Sequence, residues 1–155
     1  MIHFLGEYSS VAKYLIGPKT ELSWPIFPLN TDGIDPSGSN VTIRNVNITN
    51  FDDAVAVKPS SKGSKVAKNG CSQDIFVQNV NVMFGVGMTI GSVPPNGGHN
   101  CVRNVSFVDI NFEYPLKALY VKTNPGDGGD GEIINILYEN IKIHFPVWWS
   151  IYIGP

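Results

Sequence analysis

Residues 40–48 read NVTIRNVNI, an alternation of apolar and polar residues that recurs three more times along the chain. The later copies are DIFVQNVNV at 74–82, NVSFVDINF at 104–112 and NILYENIKI at 135–143, so they follow at nearly even intervals. Alternation of this kind is the period of a β-strand. Each copy is followed by a second apolar segment, at residues 54–57, 88–91, 118–121 and 149–152. The chain is therefore predicted to be a repeat of strand pairs.

Repetition at this period is typical of a solenoid. Because the repeats show strand alternation and no helical period, we predict an all-β fold, a single-stranded solenoid of the parallel β-helix type. Residues 1–155 are expected to form one partial domain, with residues 23–155 fitting the pattern best. Residues 21–36 read as the end of a coil, and the sequence stops directly after a strand. We interpret the domain as truncated at both ends, the middle and later part of a longer protein.

Composition excludes several classes of function. The chain has 11 Lys and Arg against 13 Asp and Glu, whereas nucleic-acid binders carry a basic surplus. No segment is long and apolar enough to span a membrane. Residues 1–8 (MIHFLGEY) lack the basic start and apolar run of a signal peptide. We therefore expect neither nucleic acid nor a membrane as a partner.

Two sets of residues fall at matching repeat positions. A ladder of amide and carboxyl side chains is predicted at one coil corner, formed by Asn45, Asn79, Asp109 and Asn140. Cys71 and Cys101 precede the second and third copies of the repeat by the same number of positions, which places them in neighbouring coils. A coil spacing of about 4.8 Å permits a disulfide. Because the two side chains are expected to point in parallel, we favour two buried thiols.

Three carboxylates are concentrated near the start of the first well-formed coil. Residues 30–35 read NTDGID and residues 50–53 read NFDD. The segment from Asp32 to Asp52 has the length of one short coil, which would stack Asp32 on Asp52, beside Asp53. Asp and Asn also serve as turn residues that bond their own backbone. The paired occurrence at one-coil spacing favours catalysis, because glycoside hydrolysis uses one protonated carboxyl and others that activate water.

The repeat offsets predict which side chains face these acids. They place Val86 in the column of Asp32 and Asp52. Two further columns are predicted, one of Ala56, Ile90 and Tyr120 and one of Lys58, Ser92 and Lys122. Strand alternation puts Tyr120 and Lys122 on one face, which would suit an acidic sugar.

Other candidate residues have competing interpretations. The lysines of residues 58–68 either form a solvated insertion or attract a polyanion. His99 is expected to be a surface loop residue rather than a catalyst. Trp148 and Trp149 could stack on sugars, but packing in a core or an interface is favoured.

Four motifs resemble the polygalacturonases, family 28 of the glycoside hydrolases. They are NTD at 30–32, DD at 52–53, GVGMTIGS at 85–92 and YVK at 120–122. The resemblance implies a right-handed parallel β-helix and a secreted, monomeric enzyme. Such an enzyme hydrolyses pectin-type polysaccharides with inversion and needs no metal or other cofactor.

The resemblance also implies roles for single residues. Asp52 is the general acid, while Asp32 and Asp53 hold and deprotonate the attacking water. Lys122 binds the substrate carboxylate, with Tyr120 and Asn30 as further substrate-binding residues. An acid–base separation of roughly 6.5–9.5 Å is expected for inversion.

The chain departs from the family pattern at two site positions. Val86 stands where the family has a histidine, and Tyr120 where it has an arginine. The family's rhamnogalacturonan-cleaving branch resembles this variant pattern. Ala54 and Val82 also replace the cysteines of the family's disulfide near the acids. A rhamnogalacturonan-type hydrolase and an inactive carbohydrate-binding relative therefore remain alternatives, and a calcium-dependent β-helix pectate lyase is a third.

Overall fold

The computed structural model describes residues 2–9, 30–61, 70–95, 98–126 and 128–155, with side chains from residue 30 onward. The described residues contain ten strands: β1 (Ile2–Ser9), β2 (Ser39–Asn50), β3 (Asp53–Val57), β4 (Ser60–Ser61), β5 (Ser72–Phe84), β6 (Gly87–Val93), β7 (His99–Glu113), β8 (Lys117–Thr123), β9 (Asp130–His144) and β10 (Trp149–Gly154). No helix able to cross a membrane occurs among them.

The strands form two sheets that run along one axis. The first sheet follows the order β1-β2-β5-β7, with β9 beside β7, and the second follows β3-β6-β8-β10. Neighbours in both sheets are parallel, and only the short strand β4 is antiparallel, to β7. Each long repeat strand of the first sheet is thus followed in the chain by a shorter strand of the second sheet. The prediction of a parallel β-helix is confirmed.

The core lies between the two sheets and is built from stacked columns of like residues. One column of the first sheet contains Ile43, Val77, Phe107 and Tyr138, each opposite the next. Ile43, Val77 and Phe107 are fully buried, and Met88 and Ile90 face them from the second sheet. Burial of each such side chain contributes about 1.5–3 kcal/mol, so the repeat itself supplies the folding energy.

The predicted corner ladder is present. Asn79 donates from its side-chain amide to Oδ1 of Asn45 at 2.7 Å, and Asn140 donates to Oδ1 of Asp109 at 2.6 Å. All four residues have φ between 53° and 56°, a left-handed conformation that Asn and Asp tolerate best. Hydrogen bonds from Asn140 and Gln78 lower the pKa of Asp109. The ladder is structural, as expected.

The two cysteines form a disulfide, so the expectation of two thiols is wrong. Cys71 and Cys101 are bonded, with their Cα atoms 4.6 Å apart. The expectation assumed that both side chains follow a regular strand. Cys71 instead lies just before β5 and directly after Gly70, whose φ is 73°. The turn at Gly70 frees the Cys71 side chain to point toward its neighbour.

The predicted columns of the second sheet are shifted by one residue. Ala56 lies opposite Thr89, and Thr89 opposite Tyr120, so Ile90 is not in the Tyr120 column. Between β3 and β6 the cause is an irregularity between Asp53 and Val55, where β3 contains one residue more than β6. Such bulges re-aim the side chains beside them. Between β6 and β8 the offset is 31 residues, as in Thr89 to Tyr120, and not the 30 that the repeat predicted. Another irregularity follows Ile90.

The step from residues 30–36 to the next coil is one residue longer than expected. Ile34 bridges Val55, and the backbone amide of Gly33 donates to the Asp53 carbonyl at 2.8 Å. Asp32 is therefore aligned with Asp53 along the backbone and not with Asp52. Most of residues 21–36, whose coil character was predicted, lies outside the described ranges.

Candidate active site

The three predicted catalytic carboxylates converge at the edge of the second sheet. One carboxylate oxygen from each of Asp32, Asp52 and Asp53 lies within 4.8 Å of the other two. That limit applies to single oxygen atoms, whereas the separation expected for inversion applies to whole carboxyl groups, so the expectation stays a prediction. The 4.8 Å is an upper limit on each separation, so the three carboxylates form one acidic cluster in which Asp53 is sealed from solvent.

Asn50 ties the two acid-bearing turns together. Its buried side-chain amide donates to the carbonyls of Thr31 at 3.1 Å, Asp52 at 2.8 Å and Asp53 at 2.9 Å. These contacts hold the turn of residues 30–35 against the turn after β2. Sequence reasoning missed this residue. The only signal was its place directly before Phe51-Asp52-Asp53.

The carboxylate of Asp52 is oriented by two backbone amides. Its Oδ2 accepts a hydrogen bond from the Asn30 amide at 2.9 Å, and its Oδ1 accepts one from the Asp53 amide at 2.8 Å. Asn30 has a φ of 56°, a conformation that asparagine tolerates. The structure thus gives Asn30 a backbone role beside Asp52. Whether its exposed side chain binds substrate stays a prediction.

Asp53 is fully buried and both of its carboxylate oxygens are paired. The Thr89 hydroxyl donates to Oδ1 at 2.6 Å, and Nζ of Lys122 donates to Oδ2 at 3.1 Å. Burial lowers the pKa of Lys122, but the charge and hydrogen bond of Asp53 outweigh it and leave that pKa raised. Thr89 was not predicted, although it lies within the matched segment at 85–92.

Asp32 is the member of the cluster with a clearly perturbed acidity. Burial and then the negative charges of Asp52, Asp35 and Asp53 raise its pKa above 3.8, while Lys58 opposes them. Nζ of Lys58 lies 3.6 Å from Asp32 and 3.3 Å from Asp35. Lys58 was expected in the Lys122 column and among the lysines of residues 58–68, and here it is a counter-charge to the acids. Asp32 therefore gains a proton more readily than an isolated carboxyl.

Tyr120 and Lys122 lie on the same face as the acids, as expected. Tyr120 is buried, and its burial raises the pKa of its phenol. Nζ of Lys122 is 5.7 Å from the centre of the Tyr120 ring. A second lysine, Lys117, lies closer, at 3.8 Å. Nothing in the sequence pattern had singled out Lys117.

Val86 contacts Asp52 through a hydrogen bond between their backbones. Its amide donates to the Asp52 carbonyl at 2.8 Å. Gly87, next to it, has a φ of 125°, and a Cβ there would be 2.4 Å from the Ala118 carbonyl oxygen. This residue must be glycine for the strands to approach. The hydrocarbon side chain of Val86 supplies no proton or hydrogen bond to the cluster.

The remaining candidates lie elsewhere. His99 is exposed and its Nδ1 is 3.0 Å from a carboxylate oxygen of Asp130, as suits a surface residue. Trp148 and Trp149 are 58% and 44% exposed, so they do not pack in the core of the described residues, and their packing in an interface stays a prediction. The lysines at 62, 65 and 68 lie outside the described residues.

The three carboxylates could also hold a hard divalent cation, because each offers an oxygen ligand within 4.8 Å of the others. Two lysine ammonium groups already lie beside these carboxylates, however. Lys122 binds Asp53 and Lys58 lies beside Asp32. The charge that a cation would neutralise is thus partly neutralised by the protein itself.

Comparison with known proteins gives one family. The model of glycosyl hydrolases family 28 matches residues 15–153. A probable exopolygalacturonase C of Neosartorya fischeri is 32% identical over 130 residues, which is 82% of this chain and 26% of that protein. A probable rhamnogalacturonase E of Aspergillus flavus is 32% identical over 113 residues, 73% of this chain and 21% of that protein.

A probable endo-xylogalacturonan hydrolase A of Aspergillus fumigatus is also 32% identical, over 119 residues that make up 75% of this chain and 26% of that protein. The chain thus spans about a quarter of the length of these relatives. No solved structure matches it.

Proposed function

Because this chain belongs to family 28 of the glycosyl hydrolases, we propose that the protein hydrolyses glycosidic bonds of a pectin-type, acidic polysaccharide by general acid–base catalysis with inversion. The observation that carries the proposal is the convergence of Asp32, Asp52 and Asp53, with oxygens within 4.8 Å of one another. That arrangement supplies both a proton donor and a place for an activated water.

The burial of Asp53 supports a hydrolytic water rather than a covalent intermediate. Asp53 is sealed from solvent and its oxygens are occupied by Thr89 and Lys122. It cannot approach an anomeric carbon, so it can act only on a small molecule held inside the cluster. We assign Asp32 and Asp53 the task of holding that water and accepting its proton.

Asp52 is the proposed general acid. Its carboxyl is half-buried and is oriented by the amides of Asn30 and Asp53. In the reaction the proton of Asp52 passes to the glycosidic oxygen as the bond from that oxygen to the anomeric carbon breaks. The water oxygen bonds to the same carbon from the opposite face and releases its proton to Asp32 or Asp53.

The raised pKa of Asp32 supports a second assignment of the acid. A carboxyl that keeps its proton at a higher pH is the better proton donor, and in this cluster burial raises the pKa of Asp32. The two assignments share the reaction and differ only in which carboxyl donates. They are separated by the leaving-group experiment in the Discussion.

The substrate class follows from the cations beside the acids and from the relatives. Lys122 lies on the acid-bearing face and is proposed to attract a sugar carboxylate. The relatives' names refer to polygalacturonan, rhamnogalacturonan and xylogalacturonan. Tyr120 and Val86, which depart from the polygalacturonase pattern, favour rhamnogalacturonan as the alternative substrate.

The protein is further proposed to be extracellular and monomeric. The Cys71–Cys101 disulfide supports the first point, because disulfides persist in oxidising compartments. Monomeric state rests on the family resemblance alone. Partners other than the polysaccharide are not proposed.

The proposal is tested by product analysis on polygalacturonate and rhamnogalacturonan, with and without EDTA. New reducing ends without the ultraviolet absorbance of an unsaturated sugar are the expected result. Unsaturated products that disappear with EDTA would establish a calcium-dependent lyase instead. Binding without products would establish the carbohydrate-binding alternative suggested by Val86.

A further inference from the structure

Lys117 is a cation that the candidate mechanism leaves unused. It is the first residue of β8 and is only 9% exposed. Its Nζ lies 3.8 Å from the centre of the Tyr120 ring and 4.2 Å from that of Tyr152, with Trp148 at 5.7 Å. Aromatic faces attract a cation without neutralising it. Lys117 is thus enclosed by rings.

Lys117 also has no carboxylate partner among the residues that the structure describes. The ion pairs found there involve Lys58, His99, Arg103 and Lys122. Its Nζ is not among the described buried polar atoms that lack a partner, so it keeps contact with solvent. Burial and then the neighbouring charge of Lys122 lower the pKa of Lys117.

The position of Lys117 places this charge at the candidate active site. Both lysine Nζ atoms lie within 5.7 Å of the centre of the Tyr120 ring. Lys122 is held by the buried Asp53, so its charge already has an internal partner. Lys117 has no ion pair among the described residues, so its charge is the less neutralised of the two.

Next to Lys117 lies an aromatic surface of sugar size. The rings of Trp149 and Tyr152 are stacked with their centres 5.0 Å apart, and Trp148 stacks on Trp149 at 4.3 Å. A sugar ring packed on this surface would bring its carboxylate toward Lys117.

We propose that Lys117 is a specificity-determining residue whose ammonium binds the carboxylate of a uronic-acid unit, with the stacked rings of Trp149 and Tyr152 supporting the sugar. This inference rests on the proposed function, since it assumes that the acid-bearing face receives an acidic oligosaccharide. A carboxylate there would pair with the charge of Lys117 and lie beside that of Lys122. A methyl ester, which has no charge, would gain neither interaction.

The test compares binding of trigalacturonate and of its methyl ester by calorimetry, in an Asp52→Asn background that prevents turnover. In that background Lys117→Met should weaken binding of trigalacturonate about 10–100-fold, since a hydrogen bond to a charged group contributes about 1.5–3 kcal/mol. Binding of the ester should change less than about twofold. Lys117→Arg should restore most of the affinity for the acid. Lys142→Met removes an exposed lysine of β9 and is the matched control for net charge.

Equal weakening of both ligands by Lys117→Met, or no change in either, would overturn the proposal. So would a Lys117→Arg variant that folds, as judged by its thermal unfolding, and binds no better than Lys117→Met. Failure of trigalacturonate to bind the Asp52→Asn protein would also overturn it. The proposed function can fail while this inference holds. In that case the wild-type protein would bind trigalacturonate through Lys117 and release no reducing ends, so it would be a binding protein and not a hydrolase.

Discussion

Nζ of Lys122 lies 3.1 Å from Oδ2 of Asp53, although 69 residues separate them in the chain. The contact spans two coil steps, and Thr89 on the intervening strand β6 bonds the other oxygen at 2.6 Å. A carboxylate sealed from water needs such partners to stay charged. The buried carboxylate of Asp53 is thus surrounded by residues of three successive coils.

We predict that a leaving group that needs no proton will identify the general acid. Asp52→Asn should lower the hydrolysis of polysaccharide about 10²–10⁴-fold, the usual contribution of general acid catalysis. The same variant should keep much of its activity toward a substrate with a nitrophenolate leaving group, because that anion departs unprotonated. Initial rates on the two substrates are the measurement.

Asp74→Asn is the matched control, since Asp74 is an exposed carboxyl that accepts hydrogen bonds from the side chains of Gln73 and Asn104, far from the acid cluster. Its rates should stay within about twofold of wild type. If the nitrophenolate substrate restores the activity of Asp32→Asn and not that of Asp52→Asn, the general acid is Asp32.

Asp32→Asn is predicted to stabilise the protein at neutral pH while abolishing hydrolysis. The folded state raises the pKa of Asp32 above 3.8, mainly by burial, so folding favours its neutral form. Below the unfolded pKa this contribution is fully present, and it is lost as the pH rises through the folded pKa. An amide stays neutral throughout.

The midpoint of thermal unfolding of Asp32→Asn should therefore exceed that of wild type at pH 7 and approach it at pH 3. A variant less stable than wild type at pH 7 would show that the ion pair with Lys58 outweighs the burial of the charge.

Thr89→Val is predicted to damage catalysis more than binding. Valine keeps the shape but removes the hydroxyl that bonds Asp53 at 2.6 Å, so the buried carboxylate loses a partner. The free energy of unfolding should fall by about 1–3 kcal/mol, and kcat should fall about tenfold with little change in KM. Urea unfolding and steady-state rates measure both. The control Thr89→Ser retains the hydroxyl, so its kcat should be close to that of wild type. A Thr89→Val enzyme with the kcat of wild type would show that Thr89 has no part in catalysis.

Asn50→Ala is predicted to loosen the acid cluster. It removes three hydrogen bonds to the backbone of Thr31, Asp52 and Asp53. Leaving buried carbonyls without a donor costs about 1–3 kcal/mol, and activity should fall because the two turns separate. Asn81→Ala, which removes one exposed hydrogen bond to Asn47, should cost less than about 1 kcal/mol. If Asn50→Ala and Asn81→Ala lose the same stability, Asn50 does not hold the two acid-bearing turns together.

The regular part of the fold could be predicted from the sequence because the repeat carries it. Strand alternation determines which side chains face inward, and the interval between repeats determines which residues stack. Those two facts were enough for the parallel β-helix, the ladder that includes Asn45, and the grouping of Asp32 with Asp52 and Asp53. The three acids could be grouped because their spacing is close to one coil.

The irregular part of the fold could not be predicted from the sequence, because one extra residue in a coil changes which side chains are aligned. The irregularity after Asp53 aligned Thr89, and not Ile90, with Ala56, and no residue type marks it in advance. The disulfide depended on a turn at Gly70 outside the strand. Asn50 and Lys117 act through contacts across coils that no local pattern reveals.

The anomeric configuration of the first product tests the central claim most directly. Hydrolysis of the preferred pectic substrate, followed by proton NMR before mutarotation, should show the inverted anomer and no vinylic proton. Inversion is the result expected if a water held by Asp32 and Asp53 attacks while Asp52 protonates the leaving sugar. A retained configuration would contradict this mechanism, because it would require one of these carboxylates to bond to the sugar.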